Sequence, residues 1–435
     1  MRAFKDSGIE WLGEIPEHWE VVTLKYLVEK IIGGGTPDTS NLDYWTNNKK
    51  DGYLWVSIED ITKSSFITDT KRYITQDGLE SSSAKLIPPF SILYSIYASL
   101  GKIAYSDQIL TTNQAILGIQ SNHKLVFYKF LFYCLCNTTN YVTILSSMTT
   151  QNNISLSVVA NLKIPVPPLE EQKAIADFLD SKCTQIDNFC EKKQKLITLL
   201  NEKKQSLINE CVTKGLDKNV TFKDSGIEHL GEIPKHWEVK RLATFGRFSK
   251  GGNISRQDLA ESGDSALLYG DIYMNYEIST SCLDSKISKN TSLGAIPIYK
   301  GDILFAGSGE TKEDIGKNIV YLGKDKAFAG GDVIIFRQKG NNVLYLSYSL
   351  NTRYAKFCKG IESKGEIIVH IYASNLKDIK IPLPPLKEQE QIAQFLDSKI
   401  SKIDKIIEKT KKQIKLIKEY KTTLINQAVC GRINL

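Results

Sequence analysis

The sequence contains few of the residues, and none of the short motifs, on which most catalytic sites depend. Its five histidines are dispersed, and it has no GxxxxGK(S/T) phosphate loop, no HExxH, no NPP(F/Y) and no pair of CxxC motifs. Cys134 and Cys136 form an isolated CxC, which by itself does not predict a zinc site. We therefore expect no catalytic, cofactor-binding or metal-binding residues, although a nucleophile and a base that meet only in the fold stay open.

Long apolar segments are also missing. No apolar run approaches the roughly 18 residues of a membrane-spanning helix, and the first residues, MRAFKDSGIEW, lack the apolar stretch of a signal peptide. The eight cysteines are scattered, as in proteins of a reducing compartment, where most are small buried hydrophobic residues. We expect an intracellular, cytoplasmic protein.

A strong excess of positive charge is absent from most of the chain. The formal net charge of +7 suggests a polyanionic partner. Counted by segment, the charge is +1 for residues 19–165, 0 for 170–218, +3 for 219–385 and +5 for 386–435. If the two long segments bind a nucleic acid, they must do so through local patches.

What the chain does contain is an internal repeat, offset by about half its length. The entry frames, residues 4–21 (FKDSGIEWLGEIPEHWEV) and 222–239 (FKDSGIEHLGEIPKHWEV), agree at 16 of 18 positions. The helix frames, residues 164–182 (IPVPPLEEQKAIADFLDSK) and 381–399 (IPLPPLKEQEQIAQFLDSK), agree at 14 of 19. The roughly 140 residues between the frames share little. This pattern predicts two similar modules on one scaffold, each reading something different.

Each helix frame continues into a segment with the pattern of a coiled coil, in which apolar residues recur at alternating steps of four and three. The predicted seam residues are Ile186, Cys190, Ile197, Leu200, Leu207 and Cys211 in the first half, and Ile403, Ile407, Ile414, Ile417, Leu424 and Ala428 in the second. Lys193 and Lys204 interrupt the first pattern where Thr410 and Lys421 interrupt the second. The shared register predicts that the helices pair with each other, antiparallel; separate packing on two globular cores is the alternative.

The segments between the frames predict α+β modules. Strand-like runs are found at 54–61, 91–98, 102–107 and 111–120, and again at 266–274, 301–309, 318–323 and 330–338. A helical run follows in each half, at 127–136 and 342–357. The predicted fold class is α+β: two similar recognition domains, residues 1–168 and 218–385, joined by two long antiparallel coiled-coil helices in residues 169–217 and 386–435.

Loops that mix cations, amides and hydroxyl groups are the candidates for nucleic-acid contact, because Lys and Arg neutralise phosphates while Asn, Gln and Arg pair with base edges. In the first half they are Lys49, Lys50, Lys63, Lys71, Arg72, Ser99, Lys102, Gln151, Asn152 and Asn153. In the second half they are Arg247, Arg256, Gln257, Ser308, Thr311, Lys312, Lys317 and Lys364. The glycines at 33–35 and 251–252 either approach a phosphate or form turns with positive φ, and we favour turns.

The doubled motif IPxPPLxEQxxIAxFLDxK, with SGIExLGEIPxHWEV ahead of each module, resembles the specificity subunit of type I restriction–modification systems. The resemblance implies two target-recognition domains, each reading half of a split, asymmetric site in double-stranded DNA, and a coiled coil that sets their spacing. It further implies docking of two methyltransferase subunits and, in the full complex, two motor–nuclease subunits. S-adenosylmethionine, ATP and Mg would be bound by those partners, with no cofactor on this chain, in the cytoplasm of a prokaryote at the nucleoid.

We therefore predict a non-catalytic, sequence-specific DNA-recognition subunit. Half-sites one helical turn apart lie about 34 Å from centre to centre. Two reading domains therefore need a stiff spacer of comparable length, and a coiled coil supplies one. Because the two modules differ, the predicted target is not a palindrome. The alternatives are a self-contained DNA methyltransferase or nuclease, and a coiled-coil scaffold protein that does not bind DNA.

Overall fold

The computed structural model describes residues 3–9, 11–97, 99–147, 153–366 and 368–435. The chain forms two units: unit 1 contains residues 1–193 and 412–435, and unit 2 contains residues 194–411. These boundaries fall inside the two predicted helix segments, 169–217 and 386–435, because each unit takes part of each long helix. Across the described ranges, no helix combines the length and the apolar character needed to cross a membrane.

Unit 1 alternates short strands and short helices before its long helical part. Its strands are β1 (Phe4–Asp6), β2 (Glu14–Pro16), β3 (Glu20–Thr23), β4 (Val28–Gly33), β5 (Trp45–Thr46), β6 (Tyr53–Val56), β7 (Tyr73–Ile74), β8 (Ser91–Ser95), β9 (Ile103–Ser106), β10 (Leu110–Thr112), β11 (Ile116–Ser121) and β12 (Lys163–Val166). Its short helices are α1 (Ile58–Lys63), α2 (Gln76–Glu80), α3 (Tyr128–Asn137), α4 (Thr139–Ser147) and α5 (Leu156–Ala160), and the long helix α6 (Leu169–Lys214) begins here.

Unit 2 has a similar order of elements, with several additional strands. Its strands are β13 (Phe222–Asp224), β14 (Glu232–Pro234), β15 (Glu238–Arg241), β16 (Gly246–Lys250), β17 (Leu259–Leu267), β18 (Ser279–Thr280), β19 (Lys286–Ile287), β20 (Ile296–Ile298), β21 (Ile303–Ala306), β22 (Ser308–Gly309), β23 (Asn318–Tyr321), β24 (Ala327–Ala329), β25 (Val333–Gln338), β26 (Val369–His370) and β27 (Lys380–Leu383). Its helices are α7 (Tyr269–Met274), α8 (Lys289–Leu293), α9 (Val343–Leu350), α10 (Arg353–Ile361), α11 (Ala373–Leu376) and the start of α12 (Leu386–Val429).

The sheets of the two units follow the same plan. Unit 1 has the strand orders β4-β11-β8-β9 and β10-β6-β7-β5, and unit 2 has β16-β25-β21-β23-β18 and β19-β17-β24-β20. A parallel pair recurs in the two units, β6 with β10 and β17 with β24, and unit 2 has a further parallel pair, β18 with β23. An antiparallel pair, β3 with β12 and β15 with β27, brings the entry frame beside the helix frame. The α+β class predicted for both modules is confirmed.

Two of the predicted strands are wrong in their second halves. Residues 54–61 begin as β6 but continue into α1, and residues 266–274 begin as the end of β17 but continue into α7. The cause is a carboxylate at the third helical position: Asp60 accepts bonds from the backbone N–H and the hydroxyl of Ser57. Asp271 likewise accepts from the N–H of Leu268. These caps begin a helix where the apolar pattern alone favoured strand.

The long helices α6 and α12 contain 46 and 44 residues. Within unit 1, Asp187 of α6 accepts a 2.7 Å hydrogen bond from Lys421 of α12, and the N-terminal end of α6 lies near the C-terminal end of α12 at Trp19. Within unit 2, Lys204 of α6 donates to Asp404 of α12 at 2.8 Å. In both units the helices run antiparallel, and all twelve predicted seam residues are buried or half-buried. The predicted pairing of the helices is confirmed within each unit.

Candidate nucleic-acid interface

The glutamate of each PPLxEQ sequence anchors the entry frame to the start of a long helix. In unit 1, Glu171 accepts bonds from the ring nitrogens of His18 at 2.9 Å and Trp19 at 3.2 Å. In unit 2, Glu388 accepts from His236 at 2.9 Å and from the Trp237 indole at 3.1 Å. Both tryptophans are fully buried. His18 and His236 are exposed, and each bonds the same glutamate as the tryptophan that follows it.

The glutamine that follows fixes the first short helix after the sheets. In unit 1, Gln172 accepts from the N–H of Phe127 at 2.7 Å and donates to the Pro167 carbonyl at 2.8 Å. In unit 2, Gln389 accepts from the N–H of Asn342 at 2.9 Å and donates to the Pro384 carbonyl at 2.8 Å. Both glutamines are buried. Because N–H groups at the start of a helix have no intrahelical acceptor, this amide satisfies one that would otherwise be buried unpaired.

The C-terminal ends of both long helices pack on the same tryptophans. Gly215, with φ of +74°, and Gly431, with φ of +70°, terminate α6 and α12 in the left-handed conformation that glycine adopts without steric cost. A Cβ atom at Gly215 would lie 3.1 Å from the Trp237 ring, and one at Gly431 would lie 2.9 Å from the Trp19 ring. The frames and helices therefore form one scaffold within each unit. The variable segments connect the two frames of that scaffold.

Two ion pairs on this scaffold are repeat-equivalent. Adding the repeat offset of 217 converts Asp187 into Asp404 and Lys204 into Lys421, and the contacts are Lys421 with Asp187 and Lys204 with Asp404. Lys204 also contacts Glu277. Two of the four polar interruptions of the predicted seam, Lys204 and Lys421, therefore make specific contacts in antiparallel register.

The first unit brings several of its predicted contact residues together beside β7, but most of them already have a protein partner. Lys63 and Lys71 both bond to Glu59, and their hydrogen bonds, that of Lys63 first, lower the pKa of this carboxyl to about 2. Lys49 donates to the Thr68 carbonyl at 2.9 Å. Arg72 is exposed and lies over the Trp45 ring.

The remaining candidates of unit 1 are placed elsewhere. Lys50 is exposed on the turn before β6, while Ser99 and the exposed Lys102 belong to the turn between β8 and β9. Asn153 is half-buried ahead of α5. Gln151 and Asn152 lie outside the described residues.

In unit 2 the predicted contact residues divide into exposed and interior groups. Arg247, Arg256, Gln257, Thr311, Lys312 and Lys364 are exposed. Ser308 is buried and hydrogen-bonds the His370 ring at 2.9 Å. The ammonium of Lys317 donates to the carbonyls of Tyr273 and Tyr276 at the end of α7, and burial lowers its pKa. Ser308 and Lys317 therefore hold the two ends of the loop between β22 and β23 by contacts with the protein itself.

The preference for positive-φ turns at the glycine-rich segments is wrong. Neither 33–35 nor 251–252 has positive φ. A Cβ at Gly34 would lie 2.0 Å from the Asn113 carbonyl oxygen, and one at Gly251 would lie 2.0 Å from the Gly330 carbonyl oxygen. Glycine is needed because two backbone segments approach closely beside the sheets.

Sequence reasoning missed the aromatic support under Arg72. The rings of Trp45 and Trp55 meet edge to face with centroids 4.9 Å apart. Their indole N–H groups donate to the carbonyls of Asp38 and Gly35, both at 3.0 Å. Alternation of aromatic residues with cations over 45–72 was the available signal, because a cation over an aromatic face is a recurrent pairing.

It also missed Lys359, a fully buried cation without a carboxylate partner within the described residues. Its ammonium donates to the carbonyls of Gly316 and Leu350, at 2.7 and 2.8 Å. Burial and then the charge of Lys356 lower the pKa of Lys359 to about 7. Lys359 thereby joins the loop that precedes β23 to the end of α9.

This buried lysine predicts a pH dependence of stability. Between pH 7 and 10.5 the unfolded chain binds more protons at this site than the folded chain, so stability rises with pH by up to about 1.4 kcal/mol per unit. Lys359→Met should remove that rise, which urea unfolding followed by circular dichroism at pH 7, 8 and 9 will measure. Lys364→Met, at an exposed position, is the control and should keep the wild-type slope; an unchanged slope in Lys359→Met contradicts the prediction.

Comparison with known proteins gives one consistent result. Two segments, residues 16–201 and 234–416, match the family model described as the type I restriction modification DNA specificity domain. The chain is 28% identical over 443 residues to the putative type I restriction enzyme MjaX specificity subunit of Methanocaldococcus jannaschii, covering 98% of this chain and 96% of that protein. It is 22% identical over 410 residues to the EcoBI specificity subunit of Escherichia coli, covering 89% and 81%.

The fold is shared with a solved chain from work on complex assembly and conformational transition of the type I R-M system. That match has a TM-score of 0.71 at 17% identity and covers 96% of this chain and 99% of the other. These relatives support the specificity interpretation and neither alternative, the self-contained methyltransferase or nuclease or the scaffold without DNA binding. The chain belongs to the type I restriction–modification specificity subunit family and carries two copies of its DNA specificity domain.

Proposed function

We propose that this chain is the DNA-recognition subunit of a type I restriction–modification complex, and that each unit reads one half of a bipartite, asymmetric site. The observation that carries the proposal is a duplicated scaffold bearing dissimilar reading loops. Both units have the same frame anchors and a similar order of elements, while the exposed cations differ. Two similar scaffolds that carry different loops suit two different half-sites.

In this proposal α6 and α12 set the distance between the half-sites. At about 1.5 Å of rise per residue, helices of 46 and 44 residues are roughly 69 and 66 Å long. Their buried apolar faces and the two equivalent ion pairs support a stiff spacer in one fixed register. A flexible linker would allow many separations and would not select one spacing.

The same helices are the proposed docking surface for methyltransferase subunits. Phe189 and Leu199 of α6 are exposed, and so are their repeat-equivalents Ile406 and Leu416 of α12. Unit 1 carries Phe189 and Leu416, and unit 2 carries Leu199 and Ile406. Large apolar side chains exposed at equivalent positions suit two copies of one partner. S-adenosylmethionine would be bound by that partner, and ATP and Mg by motor–nuclease subunits, leaving this chain with a non-catalytic role.

Exchange of one variable segment tests this function. Residues 20–165 are replaced by the corresponding segment of another family member, and methylated sites are mapped by sequencing DNA from a host that carries the chain with its methyltransferase. We expect one half of the bipartite motif to change while the other half and the spacing remain. The matched control exchanges residues 238–382 and should change only the other half. A motif that is unaffected by either exchange contradicts the proposal.

A further inference from the structure

Arg72 is an exposed cation of unit 1 that an aromatic ring supports and that remains available to a ligand. The cation lies 5.7 Å from the centroid of the Trp45 ring. Among the described residues its guanidinium has no carboxylate partner and no hydrogen bond, whereas Lys63 and Lys71 share Glu59. The five N–H donors of Arg72 therefore remain available to a ligand.

The support under Arg72 is rigid. Trp45 packs edge to face against Trp55, and both indole N–H groups are bonded to backbone carbonyls of the glycine-rich segment and the turn after it. A planar guanidinium over such a surface loses little conformational freedom when it binds. A guanidinium that is held in one orientation is suited to two parallel hydrogen bonds with a planar group that presents two acceptors. Charge neutralisation of a phosphate does not need such a fixed orientation.

A second arginine shows what a structural version of this arrangement looks like. Arg337 of unit 2 lies over the Tyr299 ring at 4.8 Å, but its guanidinium makes two 2.8 Å bonds to the buried carboxylate of Asp302. The donors of Arg337 are consumed by the protein. Arg72 lies over its ring at 5.7 Å without such a carboxylate, and within the part of the chain that the structure describes its guanidinium bonds no acceptor.

The corresponding place in unit 2 holds no arginine. Arg72 immediately precedes β7, and the residue immediately before the corresponding strand, β19, is Ser285. The hydroxyl of Ser285 donates to Asp271 at 3.0 Å. A contact made by Arg72 therefore belongs to one unit alone, as a determinant that distinguishes two half-sites must.

We propose that Arg72, held on the Trp45–Trp55 pair, reads a guanine in the half-site of unit 1. The O6 and N7 atoms of guanine present two acceptors in the major groove that match two guanidinium N–H groups. This inference rests on the proposed function. The proposed function assigns a half-site to unit 1, and the inference assigns one base of that half-site to one side chain. Arg72 is a specificity residue in this assignment, and Trp45 is its positioning residue.

The test uses the specificity chain in complex with its methyltransferase subunit and a panel of duplexes that carry every base at each position of the mapped motif. Arg72→Lys keeps the charge but loses the paired donors. We expect Arg72→Lys to lower discrimination at one G·C position of the unit 1 half-site by about 5- to 150-fold, while the salt dependence of binding stays the same. Trp45→Leu should weaken discrimination at that same position, and the unit 2 half-site should be read normally by both variants.

Three outcomes overturn the assignment. Equal loss of affinity for every duplex would mean that Arg72 contacts phosphate, relaxation at an A·T position would mean that it does not read guanine, and an unchanged profile would mean that it does not bind DNA. Each of these leaves the bipartite motif of the wild-type complex intact. A wild-type complex without a bipartite motif overturns the proposed function itself, and the assignment with it.

Discussion

Trp237→Ala is expected to destabilise unit 2 by about 3–5 kcal/mol, the usual range for truncating a buried aromatic residue to alanine. Trp237 is fully buried in the apolar core that also contains Ile208 and Cys211 of α6 and Ile392 and Leu396 of α12. Its loss also leaves Glu388 without the indole donor. Urea unfolding will measure the loss in the free energy of unfolding. Hydrogen exchange will show in which unit the backbone amides lose protection.

The internal repeat supplies the matched control for this prediction. Trp19→Ala removes the equivalent ring from unit 1, where Trp19 lies in a core with Phe130 and Leu424. We expect Trp237→Ala to reduce protection in peptides of unit 2 and Trp19→Ala to reduce it in peptides of unit 1. If each substitution unfolds both units equally, the two cores are not the separate structures that the contacts indicate.

The repeat explains why so much of the scaffold was predictable from the sequence. A residue that recurs at the same place in both halves makes the same contact in both units. The glutamine of PPLxEQ is an example, because Gln172 and Gln389 make equivalent hydrogen bonds. The heptad pattern predicted residues that are buried or half-buried on the long helices, because apolar spacing along a helix is a local property. The helix pairing followed from the shared register, and the contacts Lys204–Asp404 and Lys421–Asp187 confirm its antiparallel direction within each unit.

The candidate interface was less predictable, because the sequence does not show which cations are already paired. Lys63, Lys71 and Arg72 look equivalent in the sequence, yet Glu59, four and twelve residues before the two lysines, engages both of them. The sequence predicts Ser308 as a loop hydroxyl, but the pairing of β22 with β26 buries it against His370. The Glu59–Lys71 and Ser308–His370 contacts join residues that are 12 and 62 positions apart, so no local pattern in the sequence predicts them. Lys359 was missed for the same reason.

Gln389→Glu is the second substitution for which we expect a large effect. The Gln389 amide is 2% exposed and donates to the Asn341 side-chain oxygen at 3.1 Å and to the Pro384 carbonyl at 2.8 Å. Glutamate replaces this donor with an oxygen that faces two acceptors. An ionised carboxylate there still accepts from the N–H of Asn342, but its second oxygen is buried against two acceptors, so we expect a loss of about 3–5 kcal/mol at pH 8.

The effect of Gln389→Glu should depend on pH in a defined direction. Burial and facing acceptors disfavour the ionised form, so the pKa of the introduced carboxyl rises above its ordinary value. The folded variant then retains a proton that the unfolded chain releases, and its stability falls as pH rises above the ordinary carboxyl range. Urea unfolding at pH 5 and pH 8 should therefore show a smaller loss at pH 5, where the protonated acid can donate to one of the two acceptors.

The neighbouring residue provides the opposite exchange as a control for Gln389→Glu. Glu388→Gln removes a charge but keeps a carbonyl oxygen that can accept from the Trp237 indole, so about 1 kcal/mol should be lost. Gln172→Glu should reproduce the large, pH-dependent loss in unit 1, because Gln172 makes the equivalent bonds. A loss in Gln389→Glu that is independent of pH, or smaller than that of Glu388→Gln, would show that the buried amide is not what holds the helix frame to α9.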